Sequence, residues 1–323
     1  MGLSDAYSVG NGICNLKTSG KGLGIVNLNG KSYSVANTAA QLQALAWAVK
    51  EEMGVTTVEV ADGTYSDDIT LTVAAAGKTA TGNLVFKAAE GASPVIAGTV
   101  TLGYREQTVG AAMWNCAITF DGITFDHANA TTHSLDVQDV KSLTLKNCTI
   151  IGDGEYGLGS PRGNATGPSL IDNCTFENAA MQILGSLGTG LVINKCTFNE
   201  SRINVQGGDG VTVQNCNFTN TLTNANVGDS FYLIRSNSTP ITVKECNINI
   251  DSELTDVAAN EINWAILHNR GNKTWEVENV SITMSEAALD QTELFVTKCT
   301  LKNGNPSGGT INTTNLTVNG NVQ

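Results

Sequence analysis

The sequence predicts an all-β chain wound as a parallel β-solenoid of about ten rungs. Three observations carry that expectation. The segment "LVINKCTF" at 191 returns as "LTLKNCTI" at 143, "SLIDNCTF" at 169, "VTVQNCNF" at 211, "ITVKECNI" at 241 and "LFVTKCTL" at 294. Within each copy apolar and polar residues alternate with period two, the pattern of a strand with one face inward. One extra residue interrupts the alternation at the same place every time, so the chain must bend there.

Aligned on the cysteine, the template reads apolar–x–apolar–x–x–Cys–x–apolar. Its slot is filled by Cys148, Cys174, Cys196, Cys216, Cys246 and Cys299, by Val280 in "WEVENVSI" and by Ile123 in "ITFDGITF". Weaker copies place Gly63 and Ala89 there, and successive slots lie 19 to 34 residues apart. The residue before the slot is often Asn (147, 173, 215, 279) or Gly122. Those types tolerate a left-handed backbone, as a sharp corner between two strands demands. Rungs built this way stack at about 4.8 Å, so identical slots form columns. Cysteine is small and apolar enough to stack in a core column, and buried, reduced thiols are expected. No CxxC pair or metal-ligand spacing occurs among the 8 cysteines, so neither a zinc site nor another metal is expected.

Ahead of the rungs, "NTAAQLQALAWAVKEEMG" has the pattern of a helix over about 37–53. Thr38 and Gln41 form a capping box, Leu42, Leu45, Ala46, Val49 and Met53 share a face, and Gly54 suits the C-cap. A solenoid's first rung exposes a sheet edge and a core end, and this helix is placed to cover them. The organisation expected is an N-terminal segment with its capping helix over 1–54 and a β-helix over 55–323, effectively one domain. No comparable lid is legible at the C-terminal end, where "TNLTVNGNVQ" still alternates.

Composition limits the partners. The 323 residues carry 15% charged residues and a net charge of −12. Such a surface repels nucleic-acid phosphate and anionic lipid, so neither is an expected partner. No run of 18 apolar residues is present to insert in a membrane. The opening "MGLSDAYS" has neither the basic nor the apolar region of a secretory signal and reads as an initiator on a mature sequence.

The rungs, together with "TAAQLQALAWAV" followed by "TTVEVADGTYSDDITL", resemble the right-handed parallel β-helix proteins of the pectin-lyase-like superfamily, in their secreted bacterial form. The resemblance covers nearly the whole chain as a fold pattern. It implies a right-handed coil and an extracellular or cell-surface location. Enzymes of that superfamily cut polysaccharides on the outer face of one strand column. Their catalytic sets do not carry over: the close Asp pairs with a Gly-His-Gly turn, the clustered carboxylates beside a catalytic Arg, and the Lys–Arg pair are all missing. No cofactor is expected, apart from calcium if the chain is a lyase.

A second alternating strand precedes the slot in several rungs: "INVQGG", "FYLIRS" and "WAILHN". Taking the residues at its end as equivalent places Gln138, Gly185, Gln206, Arg235 and His268 in one column. Tyr232, Trp264, Arg270, Asp229 and Glu261 are close to it in sequence. Gln206, Tyr232, Arg235, Trp264, His268 and Arg270 are the candidate binding residues. Arginine, histidine and aromatic faces suit a sugar, by hydrogen bonds to carboxylate and hydroxyls and by a flat apolar surface. If the site is catalytic, Arg235 or His268 would remove a proton α to a uronate carboxylate in a lyase, whereas Asp229 and Glu261 would be the carboxylate pair of a hydrolase.

Other features read as structural. The loop 152–167, with Asp153, Glu155, Tyr156 and Arg162, is a surface turn, although long loops can wall a cleft. His127 and His133 flank "ANATT", and Asp126 beside His127 lacks a third triad member. The Asn-x-Ser/Thr sequons belong to the rung chemistry. Three functions follow from these features: a non-catalytic glycan- or host-ligand-binding, adhesin-like protein, the expectation preferred here; a polysaccharide lyase or hydrolase; and a structural module of a longer surface protein.

Overall fold

The computed structural model describes residues 22–28, 31–36, 55–60, 62–66, 68–71, 81–102, 115–128, 133–137, 139–154, 157–160, 164–165, 167–183, 185, 189–222, 231–253, 264–286, 288, 293–296 and 309–323. They form three long sheets of 12, 11 and 9 strands, here A, B and C, and a small two-stranded pair, Asp139–Val140 with Asn164–Ala165. Each rung visits A, then B, then C. Ser142–Lys146, Thr149–Ile151 and Leu158–Ser160 form one such coil, and the next begins at Leu170–Asp172. From Val55–Val60 to Thr310–Thr314, every neighbour in sheet A is parallel. The chain is a parallel β-helix.

The corner from A to B shows how the repeat folds. Asn147, Asn173, Asn215, Asn279 and Gly122 all have positive φ, at 52°, 54°, 55°, 53° and 73°. Asparagine adds a hydrogen-bond ladder along the coil axis. The Asn147 amide donates to Asp121 Oδ1 at 2.7 Å, and Asn173 donates to Asn147 Oδ1 at 2.7 Å. Asn279 donates to Glu245 Oε1 at 2.8 Å, and Asn315 to Asn279 Oδ1 at 2.9 Å. Lys195 and Glu245 hold the same corner, both with φ 53°. Nothing in their residue type favours that conformation, so the neighbouring rungs impose it, at a cost of about 1–2 kcal/mol each.

The slot column turns inward as expected. Cys148, Cys174, Cys196, Cys216 and Cys246 are buried and unpaired. Cys116 has no described side chain, and Cys14 and Cys299 lie outside the described residues. The sulfur does more than fill space. Each of the five thiols donates to the carbonyl two residues earlier, at 3.1–3.4 Å. That carbonyl stands at the end of the sheet A strand, just before the corner. A thiol there is narrow like alanine yet offers a weak donor, which explains its recurrence. Beside it, Phe176, Phe198 and Phe218 stack with centroids 4.8 and 4.6 Å apart.

Outside, sheet A carries a register device. Across successive strands Glu59, Lys87, Asp121, Lys146 and Asp172 stand opposite one another, alternating in sign. Asn194 continues the column, donating to Asp172 Oδ1 at 2.7 Å, and Gln214 donates to Asn194 Oδ1 at 3.1 Å. Opposite charges facing across strands favour this register, and a slipped one would lose the pairing.

Both ends of the sheets depart from the parallel pattern. Gly22–Leu28 and Lys31–Ala36 form an antiparallel pair, and the former lies antiparallel on Val55–Val60. The expected helix over 37–53 lies outside the described residues. At the other end Asn321–Val322 folds back antiparallel on Thr317–Val318 through Asn319 and Gly320, with φ 47° and 78°. Asn-Gly with two positive φ angles is the preferred two-residue hairpin turn. The Asn319 side chain also accepts from Met284 N at 2.8 Å and donates to Met284 O at 3.0 Å, extending the edge by one pseudo-pair.

Replacing Lys195 by Asn should raise unfolding stability by up to about 1 kcal/mol, because asparagine tolerates the corner backbone better. Chemical denaturation measures it, and an unchanged midpoint would refute an imposed, costly corner. A second test uses the thiols. Neighbouring thiols on either side, with burial added, hold Cys174 and Cys216 well above the ordinary 9.0. The folded state then keeps protons that the unfolded chain releases. The contribution of these two thiols is therefore complete below pH 9 and is lost above it, by about 1.4 kcal/mol per pH unit per thiol. Denaturation midpoints at pH 8 and pH 10 should show this slope, and Cys174→Ala with Cys216→Ala should flatten it.

Candidate functional site

The outer side of sheet C differs from the regular polar faces of A and B. Strands Arg202–Val205, Phe231–Ser236 and Trp264–Asn269 lie side by side. Their register pairs Arg235 with His268 and Asn204 with Arg235. One strand earlier, Gln182 pairs with Asn204, and Gly159 with Gln182. The column therefore runs Asp136, Gly159, Gln182, Asn204, Arg235, His268.

Arg235 and His268 are neighbours as expected. Gln206 is not their partner: it follows the strand end, is exposed, and its N–H donates to Ile183 O at 2.7 Å. Asn204 holds the place expected for Gln206. Gly185 likewise sits beyond its strand, its backbone close against Gly207. The reason for the offset lies in two double apolar steps. Leu233 with Ile234, and Ile266 with Leu267, are fully buried core residues in consecutive positions. They break the period-two count that placed the strand ends in one column. They also bring Tyr232 and Arg235, three apart, to one side.

There Tyr232 is the centre of a cluster. The Arg235 guanidinium carbon lies 4.4 Å from its ring centroid and that of Arg202 5.7 Å. The His268 ring is edge-on to it at 6.4 Å. Guanidinium over a tyrosine ring contributes about 0.5–2 kcal/mol, more as water is excluded. Exposure separates the members into two tiers. Tyr232, His268 and Asn204 are 7%, 6% and 5% exposed. Arg202, Arg235 and Gln182 are half-buried and reach solvent. Among the described residues, Asn204 Oδ1 meets no hydrogen-bond donor. Arg270 is half-buried at the turn towards sheet A, its N–H bound to Ser236 O at 2.8 Å. The side chain of Trp264, and Gln138, Asp229 and Glu261 altogether, lie outside the described residues.

Farther along the column stands His133, whose ring lies flat on Gly159. A Cβ at Gly159 would clash with this ring, so an alanine there must displace it. Gly157 N–H donates to its Nδ1 at 3.4 Å. Burial lowers the His133 pKa, against the opposing pull of Asp136 and Asp153. The sequence reading took His133 as a structural histidine and passed over Arg202, Asn204 and Gln182. Aligning "MQI", "INV", "IRS" and "LHN" on their apolar residues would have found the last two; Arg202 needed the fold.

The described residues contain no group of three or more His, Cys, Asp or Glu placed to hold a metal ion. No helix among them is long and apolar enough to cross a membrane. No protein-family model matches the chain, and neither a curated protein nor a solved structure matches it.

Gly159→Ala should lift the His133 ring off the strand and return its pKa upward toward the ordinary value. With 3 histidines in the chain, NMR titration resolves each ring; an unmoved His133 midpoint would refute the packing assigned to Gly159.

Proposed function

We propose that this chain is a non-catalytic, glycan- or host-ligand-binding β-helix protein of an extracellular bacterial surface, of the pectin-lyase-like type, with its ligand lying on the outer side of sheet C. The observation that carries the reading is the two-tier cluster around Tyr232. Arg202 and Arg235, both half-buried, converge on the Tyr232 ring, and His268 lies edge-on to the same ring. Preorganised guanidinium groups lose little freedom on binding a hydroxylated or anionic ligand. Stacked rungs repeat at about 4.8 Å, close to the length of one sugar in an extended chain. A linear glycan lying along the coil axis would then meet one rung per sugar.

The second reading is a polysaccharide lyase. An arginine and a histidine side by side suit neutralisation of a uronate carboxylate and removal of its α-proton, with calcium as the cofactor such a lyase would use. The depth of His268 speaks for binding. A proton acceptor must come within hydrogen-bond reach of the substrate, and a ring with 6% exposure is set to position its neighbours.

A glycan array followed by calorimetry tests the proposal. Binding in the micromolar to millimolar range should weaken at least about tenfold in Arg235→Ala, a loss of one charged contact. Absence of binding to every glycan would refute it. Growth of ultraviolet absorbance on uronate polymers, lost in Arg235→Ala and His268→Ala, would establish the lyase in its place.

A further inference from the structure

The outer face of sheet A carries an uncharged strip beside its alternating charges. Outward positions lie two residues apart along each strand. The middle outward column runs Val85, Thr119, Thr144, Leu170, Val192 and Thr212, one residue per rung, and all six are half-buried. Towards the strand starts the outward residues are small: Ala117 faces Ser142, and Gly210 heads its strand. Towards the strand ends runs the ladder from Glu59 to Asp172, in which Lys87 and Lys146 are exposed. A strip of low relief without charge, flanked by charges, is the make-up of a protein–protein contact, whose centre is depleted of charge and whose rim is polar.

We infer that this face docks on the same face of a second copy of the chain, with the two coils antiparallel. The two-fold axis lies along the strand direction, between Asn115–Asp121 and Ser142–Lys146. A two-fold contact joins one patch to itself, so the patch must complement itself. Counting Val55–Val60 as the first rung, the axis sets the third rung against the fourth, the second against the fifth and the first against the sixth. Asp121 then meets Lys146 of the second copy, Lys87 meets Asp172, and Glu59 meets the neutral Asn194. In the middle column Thr119 meets Thr144, Val85 meets Leu170, and Thr57 meets Val192. Moving the axis by half a rung, onto Ser142–Lys146, sets Lys146 against its own counterpart and Asp121 against Asp172, which is repulsive. Six rungs at about 4.8 Å and three outward columns about 6.8 Å apart cover about 600 Å² on each copy, about 1,200 Å² in total. That clears the roughly 1,000 Å² of a specific interface and lies at the small, weakly binding end of the range. Sheet C takes no part in the contact, so the inference is independent of the glycan reading.

Sedimentation velocity of the whole chain, over about 1 to 200 μM, tests the contact. The sedimenting mass should rise from that of the 33.8 kDa chain to twice that value within this range. Leu170→Arg places a charge in the middle of the strip and should weaken association at least about tenfold. The single reversal Lys87→Asp should do the same, by setting like charges together across the axis. Within one chain, positions 87 and 172 are three rungs apart, about 14 Å, whereas across the axis they meet. Lys87→Asp combined with Asp172→Lys should therefore restore association, although it disturbs the charge ladder inside each chain. Circular dichroism checks that every variant is folded. A chain that stays monomeric at about 200 μM overturns the inference. So does a dimer unmoved by Leu170→Arg or by Lys87→Asp, or one that the double reversal fails to restore.

Discussion

A left-handed corner between two strands, repeated once per rung, is the constraint on which the rest of this structure depends. Parallel strands in register leave each rung little choice of path, because the corner must lie over the corner before it. Where the residue is asparagine the geometry is intrinsic, and the side chain ties one rung to the next. Where it is Lys195 or Glu245, the same φ appears without local preference. The stack overrides the residue, as tertiary context commonly does. The buried thiols serve the same corner from inside, each bonded to the last carbonyl of the strand that enters it.

With the corner settled, the sheets become ladders of equivalent positions. Inside, phenylalanine stacks on phenylalanine and sulfur lies above sulfur. Outside sheet A, opposite charges face each other from Glu59 to Asp172. These ladders solve a problem particular to solenoids. A strand with period two can slip against its neighbour, and the ladders penalise each slipped register.

Sheet C breaks that uniformity. Its outward residues change type at almost every rung, from Asp136 through Gln182 and Asn204 to Arg235 and His268. A face meant only to be wet has no need of two arginines around one tyrosine or of a histidine laid on a glycine. The binding proposed above would use this arrangement: the scaffold holds positions at a fixed spacing, and chemistry is varied along one column.

The slot, the asparagine corner, the inward cysteines and the Arg235–His268 adjacency were legible because they repeat, and repetition converts sequence spacing into spatial register. What does not repeat was hidden. The double apolar steps at Leu233–Ile234 and Ile266–Leu267 defeated a count based on alternation, so Gln206 was read in the place that Asn204 holds. Arg202 joins Tyr232 only because a neighbouring rung brings it there, and His133 reaches Gly159 on the adjacent rung from a segment before its own strand. The antiparallel strands at both ends answer to open sheet edges, which exist only after stacking. The sequence alone therefore determined the coil, since its information is local and periodic. The tertiary structure alone decided the site, since contacts between side chains on different rungs depend on register, and a single irregular step displaces it.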